Sequence, residues 1–163
     1  MKRKTLLLLM LLALLTPGAM KAQWSGSGTA DSPYLITSAS DWNTLATNVS
    51  NGTTYSGSYF QLTADISVST MIGTGEDSNN FRGTFDGNGH QITVSYGTSS
   101  SPLSTSPCAP FRYMLGGTIK NLKVAGNIYN NANFTASIVG FNKNTSATFY
   151  LENCISTVNM RCS

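Results

Sequence analysis

Two stretches decide how the chain folds: IKNLKVAGNI at residues 119–128 and LENCISTVNM at residues 151–160. They superpose without a gap at an offset of 32, so that Ile119 matches Leu151, Asn121 matches Asn153, Leu122 matches Cys154 and Ile128 matches Met160. Two bursts of the same kind lie upstream, Tyr59 to Val68 and His90 to Tyr96, and Ile92 stands 30 residues before Leu122. Each alternates apolar and polar residues, the period of a half-buried strand. Between them run shorter apolar pieces, Met71 to Gly73, Ala109 to Tyr113 and Ser137 to Gly140, and the two classes alternate strictly. A repeat of roughly 26 to 32 residues with two short strands per unit predicts a solenoid, in which a unit buries its apolar face only against its neighbours. The residue-level register favours a parallel β-helix, because in-register stacking sets like residues above like every ~4.8 Å. A β-sandwich is the competing arrangement. The core expected from this reading includes Leu62, Ile66, Phe85, Ile92, Val94, Phe111, Leu122, Val124, Ile138 and Val158.

Upstream of the repeat the period changes. Ser32-Pro33 turns into a short Tyr34-Leu35-Ile36 strand, and then Trp42, Leu45, Ala46 and Val49 fall at i, i+3, i+4 and i+7. That spacing marks one face of a helix over Ser38 to Asn51. Ser38 and Asp41 have the spacing of a capping box, and Gly52 supplies a stop. The N-terminus reads as a leader, with basic residues at Lys2, Arg3 and Lys4, an unbroken apolar run from Leu6 to Leu15, and small residues near Ala22. Such a run is too short for a bilayer, which needs about 20 residues, and fits a secretory signal peptide cleaved after Ala22. No Cys stands at that position to carry a lipid anchor. The expected organisation is thus a signal peptide at 1–22, a cap with a short helix at 23–58, and coils from 59 to 163.

The composition of the 163 residues, 40% apolar and only 10% charged, fits one domain. It argues against a disordered tail or a nucleic-acid binder. The formal charge of +3 comes from the leader: without Lys2, Arg3, Lys4 and Lys21, Lys plus Arg falls from 10 to 6 against 7 acids, a net charge of −1. Beyond the leader no run is long enough to cross a membrane, so the mature chain is expected to be exported. Extracellular, outer-membrane-associated and periplasmic sites all fit. In such an oxidising setting Cys108, Cys154 and Cys162 allow one disulfide and one leftover thiol. Cys154, at an apolar-periodic position, is the expected buried free thiol. The lack of a CxxC motif, with His90 as the single histidine, argues against zinc.

The stretches MIGTGEDSNNFRGTFDGNGHQITV, APFRYMLGGTIKNLKVAGNI and SIVGFNKN, with the segment from Pro33 to Val68, carry a resemblance. They are similar to the GLUG-repeat type of secreted and surface proteins of gut and oral Bacteroidota, over about Ser32 to Met160. FxGTFDGNGHxI and GGTIKNLxVxG are the most specific pieces. The resemblance implies a right-handed parallel β-helix in adhesin-like cell-surface proteins without established catalytic residues. Taken together, the fold expected is all-β, a right-handed parallel β-helix with an N-terminal capping helix.

The motifs point to no reaction. The run Gly83 to His90 lacks the GK[ST] of a phosphate loop, and as a calcium loop it would place Gly97 where a Glu is required. Its glycines read as positive-φ corner residues, with Asp86 and Asn88 bonding local backbone. His90 is expected to face solvent. Asp65 and Asp86 could neighbour one another, but turn capping accounts for Asp65, and the adjacent acids Glu76-Asp77 lie in a polar loop. Lys120 and Lys123 fall on opposite strand faces by parity. Asn121 and Asn153 are expected to form an internal ladder. Tyr55, Tyr59, Tyr96, Tyr113, Tyr129 and Phe134 lie among Asn, Ser and Gly, a mixture that stacks on sugar rings and bonds hydroxyls. Tyr96, Tyr113 and Tyr129 are the candidate ligand contacts, with no catalytic residue, no metal and no cofactor. Asn127 to Asn133 and Gly97 to Pro107 read as exposed loops, where recognition concentrates. The chain stops near a strand without a capping segment, which suggests further sequence beyond Ser163. The function expected is a structural or adhesive module whose partners are glycans or host and cell-surface proteins. The alternative is the non-catalytic N-terminal part of a secreted carbohydrate-acting enzyme or peptidase.

Overall fold

Among the described residues each strand pairs with its sheet neighbours in parallel. The computed structural model describes residues 23–75, 78–142 and 147–162. The expected signal peptide, the acidic pair Glu76-Asp77, Lys143 and Ser163 lie outside the described residues. The elements in chain order are β1 (Tyr34–Ile36), α1 (Ala39–Ser50), β2 (Tyr59–Leu62), β3 (Ile66–Val68), β4 (Thr84–Asp86), β5 (Gln91–Tyr96), β6 (Phe111–Met114), β7 (Thr118–Lys120), β8 (Lys123–Asn130), β9 (Val139–Asn142), β10 (Tyr150–Glu152) and β11 (Ile155–Cys162). They form a five-stranded sheet β1-β2-β4-β7-β10, a four-stranded sheet β3-β5-β8-β11 and a two-stranded sheet β6-β9. Every pairing is parallel. Ile119 lies opposite Leu151 and Ile128 opposite Met160, the partners that the offset of 32 requires.

The expected all-β right-handed parallel β-helix is corrected by this arrangement. The described residues form three parallel sheets of eleven strands in all and one helix, and no solenoid is recognised among them. Two features depart from a regular repeat. Paired strands are separated by unequal lengths of chain, from 25 residues between Tyr59 and Thr84 to 34 between Thr84 and Thr118. Three of the four bursts are also two strands in different sheets, β2 and β3, β7 and β8, and β10 and β11, while His90 to Tyr96 holds the single strand β5. The alternation breaks where the chain turns from the first sheet into the second. At that corner Asn121 (φ 51°) and Asn153 (φ 49°) occupy the left-handed region, which Asn tolerates because its short side chain bonds locally. Gly87 precedes the equivalent turn for a different reason. A Cβ there would sit 2.5 Å from Leu122 Cα, so close approach of backbone, not positive φ, requires the glycine.

The helix forms as its spacing predicts. Ser38 is extended (φ −152°, ψ 165°), and its Oγ accepts a hydrogen bond from Asp41 N at 3.2 Å. The Asp41 carboxylate reaches back to Thr37 N and Oγ1 at 2.9 and 2.7 Å, a capping box displaced by one residue. The C-cap is Asn51, with Gly52 just beyond it. Trp42, Leu45, Ala46 and Val49 are buried, and Trp42 Nε1 donates to Thr70 O at 3.0 Å. Trp42, Phe85 and Phe111 meet edge to face with centroids 5.2 to 5.8 Å apart, the arrangement aromatic quadrupoles prefer. Trp24, Trp42 and the sheet residues belong to one core, so segments 23–58 and 59–162 share it. Of the expected core, Leu62, Ile66, Phe85, Ile92, Val94, Phe111, Leu122 and Val124 are buried, whereas Ile138 and Val158 are only partly covered.

Candidate functional site

The second sheet carries the site. Along β8, Val124 and Ile128 point into the core, so Lys123, Asn127 and Tyr129 face outward. On β11 the register sets Asn159 beside Asn127 and Arg161 beside Tyr129. The outer face thus presents an amide pair next to a phenol and guanidinium pair, in strands ~4.8 Å apart. With Ser99 and Met160 these residues line an open groove of about 530 Å³. Asn159 Nδ2 donates to Asn127 Oδ1 at 3.4 Å, which leaves Asn127 with donor capacity and Asn159 with an acceptor. The side chains of Tyr129 and Arg161 make no hydrogen bond or ion pair among the described residues.

Ser99 brings the 97–107 segment to one wall of the groove, and a buried polar residue ties that segment down further along. Leu103 N donates to Tyr129 O at 2.9 Å, and Asn131 N donates to Leu103 O at 2.8 Å. Asn130, fully buried, accepts from Thr105 N at 3.1 Å; its amide nitrogen lies within 2.9 to 3.2 Å of Thr135 Oγ1, Thr105 O and Ala132 O. Both polar ends of this side chain are satisfied, as burial requires. The expectation of an exposed loop over Asn127 to Asn133 is therefore corrected: residues up to Asn130 are strand, and Asn130 is a tie.

The three candidate tyrosines part company. Tyr96 is only 1% exposed and donates its hydroxyl to Thr70 O at 3.0 Å, so it is a core residue and not a ligand contact. Burial drives its ionisation well above the usual phenol range. Tyr113 is half-buried, its ring 6.0 Å from that of Phe141 and 5.4 Å from the Arg112 guanidinium carbon. Only Tyr129 lines the groove. Asn127, Asn159 and Arg161 were missed as site residues, although the offset of 32 that pairs Asn121 with Asn153 pairs Asn127 with Asn159 as well.

Elsewhere the polar groups bond to one another. His90 does not simply face solvent: its Nδ1 lies 3.3 Å from Asp65 Oδ1, which also accepts from Gln91 N at 2.9 Å. The hydrogen bond from Gln91 N, helped by His90, holds the Asp65 carboxyl below its ordinary range. Asp86 instead meets Lys120 at 3.3 Å and Asn121 Nδ2 at 3.0 Å, and Asn153 Nδ2 continues the expected ladder to Asn121 Oδ1 at 2.9 Å. Desolvation works to raise the Asp86 carboxyl, but the bonds from Asn121, Asn88 N and Lys120 outweigh it, and the net shift is downward. A second groove of about 540 Å³ lies between α1 and residues 70–74. There Arg112 donates to Pro107 O and Ser106 O, and Thr70 Oγ1 to Asn43 Oδ1. All three cysteines are free thiols: Cys108 is buried, Cys154 half-buried and Cys162 exposed, so the buried thiol is Cys108 and not Cys154.

Among the described residues no cluster of three or more His, Cys, Asp or Glu side chains can hold a metal ion. The single histidine is engaged by a carboxylate. No helix among them is long and apolar enough to cross a membrane. Comparisons with protein-family models, with curated proteins and with solved structures found no match to this chain.

Proposed function

We propose that the chain is an exported, surface-located or secreted module of the GLUG-repeat type that holds glycans without transforming them. The groove over β8 and β11 is its binding site. One observation carries the reading: Tyr129 stands, with no hydrogen bond of its own, beside the outward amide pair Asn127 and Asn159, on a rigid sheet walled by a pinned segment. A phenol ring offers an apolar face to the C–H side of a sugar. An amide donor next to an amide acceptor matches a hydroxyl, which both gives and takes a hydrogen bond. Because the partners sit on strands, little ordering is needed on binding, and that favours affinity. An adhesive role follows from the same arrangement, since a long sheet face with one open groove can hold a chain of sugars at a surface.

The test is a glycan array with the chain, followed by titration calorimetry on the best members. Tyr129→Ala is expected to weaken binding at least tenfold, about 1.4 kcal/mol, with the circular dichroism spectrum unchanged. An array on which wild type binds nothing, or a Tyr129→Ala variant that binds as wild type does, overturns the proposal.

A further inference from the structure

The geometry points to a carboxylated glycan, one carrying uronic or sialic acid units, as the ligand of the groove, an inference that rests on the glycan reading above. The argument concerns Arg161. Among the described residues it is the only charged side chain lining the groove, and no Asp or Glu is in that lining. The chain's other described cations have company. Lys120 meets Asp86, Arg82 Nε donates to Asn80 Oδ1, and Arg112 donates to two carbonyl oxygens. Lys123 is close enough to Asp65 to help lower its carboxyl. Arg161 has no such partner among the described residues, and it sits in register with Tyr129 on the neighbouring strand.

That adjacency sets the ligand's shape. Tyr129 and Arg161 are register partners on strands ~4.8 Å apart and both line the groove, so a sugar stacked on the phenol has the arginine on the adjacent strand beside it. A guanidinium presents a planar fork of donors that a carboxylate accepts with two parallel bonds, a match that an uncharged hydroxymethyl group cannot make. A carboxylate attached to the stacked ring, or to the next one, brings planar acceptor and charge together. The neutral amides Asn127 and Asn159 then bond hydroxyls, which leaves Arg161 as the element that discriminates acidic from neutral sugars.

The experiment measures the chain against matched pairs of oligosaccharides: oligogalacturonides and their methyl esters, sialylated glycans and their desialylated forms, and sulfated glycans as a third arm. Wild type is expected to bind carboxylated members about tenfold tighter than their neutral partners at 50 mM salt, an advantage that shrinks toward parity as ionic strength screens it. Arg161→Gln is expected to abolish that advantage, so that carboxylated and neutral members of a pair bind alike, Arg161→Lys to retain part of it, and Tyr129→Ala to weaken both members of a pair. Equal binding of carboxylated and neutral partners, or a preference that follows sulfate instead, overturns the inference while the glycan reading stands. Absence of binding to every member overturns the glycan reading and this inference together.

Discussion

One column of the first sheet runs through Phe60, Phe85, Ile119 and Leu151 in strict register. The first three are wholly buried, yet Leu151 is 46% exposed. The same contrast recurs across the second sheet, where Ile128 is buried and its partner Met160 is 47% exposed. The residue types hardly differ between these layers. What differs is cover: β9, β10 and β11 each stand at the end of their sheet, and no described strand pairs beyond them. Apolar identity makes a residue able to be buried, but the neighbouring layer buries it, so the energetic weight of a side chain here depends on its layer more than on its chemistry.

The strongest way to break this comparison is to truncate one column at two heights. Phe85→Ala removes a ring held between Trp42 and Phe111 and is expected to cost about 3–5 kcal/mol. Leu151→Ala, at the exposed end, is expected to cost less than about 1 kcal/mol, since little apolar area leaves or enters water. Urea unfolding of both variants measures this, and equal losses would show that the last layer is covered in solution.

The thiols sharpen the same contrast in chemical terms. Cys108 is buried, and desolvation, only partly offset by Arg112, pushes its thiol up to about 11. At pH 8 that leaves roughly one thiolate in a thousand, against about a quarter for an ordinary thiol. Cys162, opposite Asn130 on the last strand, is exposed. Iodoacetamide should therefore label Cys162 at least a hundredfold faster than Cys108, with mass spectrometry assigning the sites. Comparable rates at the two would contradict the burial assigned to Cys108.

That pairing of Asn130 with Cys162 also shows what the sequence could and could not reveal. The 32-residue offset placed the partners of β7 and β8 correctly, because a parallel register is a statement about spacing alone. The helix was legible for a similar reason: its buried face is written at a single period. The division of three of the four bursts into two strands was not legible, because the break in alternation at Asn121 does not by itself announce the left-handed turn that the residue adopts. Parity across that corner also lost its meaning for Lys120 and Lys123, which belong to different sheets. The site was half-visible. Aromatic and amide composition pointed to Tyr129, but Tyr96 carries the same signal and is buried, since only the inward or outward phase of its strand separates the two. Asn130 read as a loop residue because polar character suggests exposure, whereas its four polar contacts make it a core residue.

Asn130 supplies the next prediction in size. Asn130→Ala leaves Thr105 N and Thr105 O without their side-chain partner and is expected to cost about 1–3 kcal/mol. Because the same contacts hold the 97–107 wall, proteolysis within that segment should accelerate in the variant before global unfolding does. Cys162→Ala, at the same register position one layer further on, should change stability by no more than about 0.5 kcal/mol. A protected segment in the Asn130→Ala variant would mean that backbone bonds alone suffice to hold the wall.

The smallest effect separates the two ends of the asparagine ladder by pH. The folded-state carboxyl of Asp86 lies below its ordinary value, so its contribution is present above the unfolded value of about 3.9 and is lost as pH falls through the folded one. The ion pair with Lys120 is partly solvated and screened, which limits the contribution at pH 7 to about 1 kcal/mol or less. Asp86→Asn should flatten the decline in stability on acidification below about pH 4. Asn121→Ala, which deletes the donor to Asp86, should move that decline to higher pH, whereas Asn153→Ala, which touches Asn121 but not the carboxylate, should leave its position unchanged. Thermal unfolding at pH 2 to 7 on the three variants reads out the difference. An acid limb that shifts as much for Asn153→Ala as for Asn121→Ala would show that the ladder transmits its orientation from the exposed layer inward, and the division between a covered and an uncovered end would then fail for polar side chains even if it holds for apolar ones.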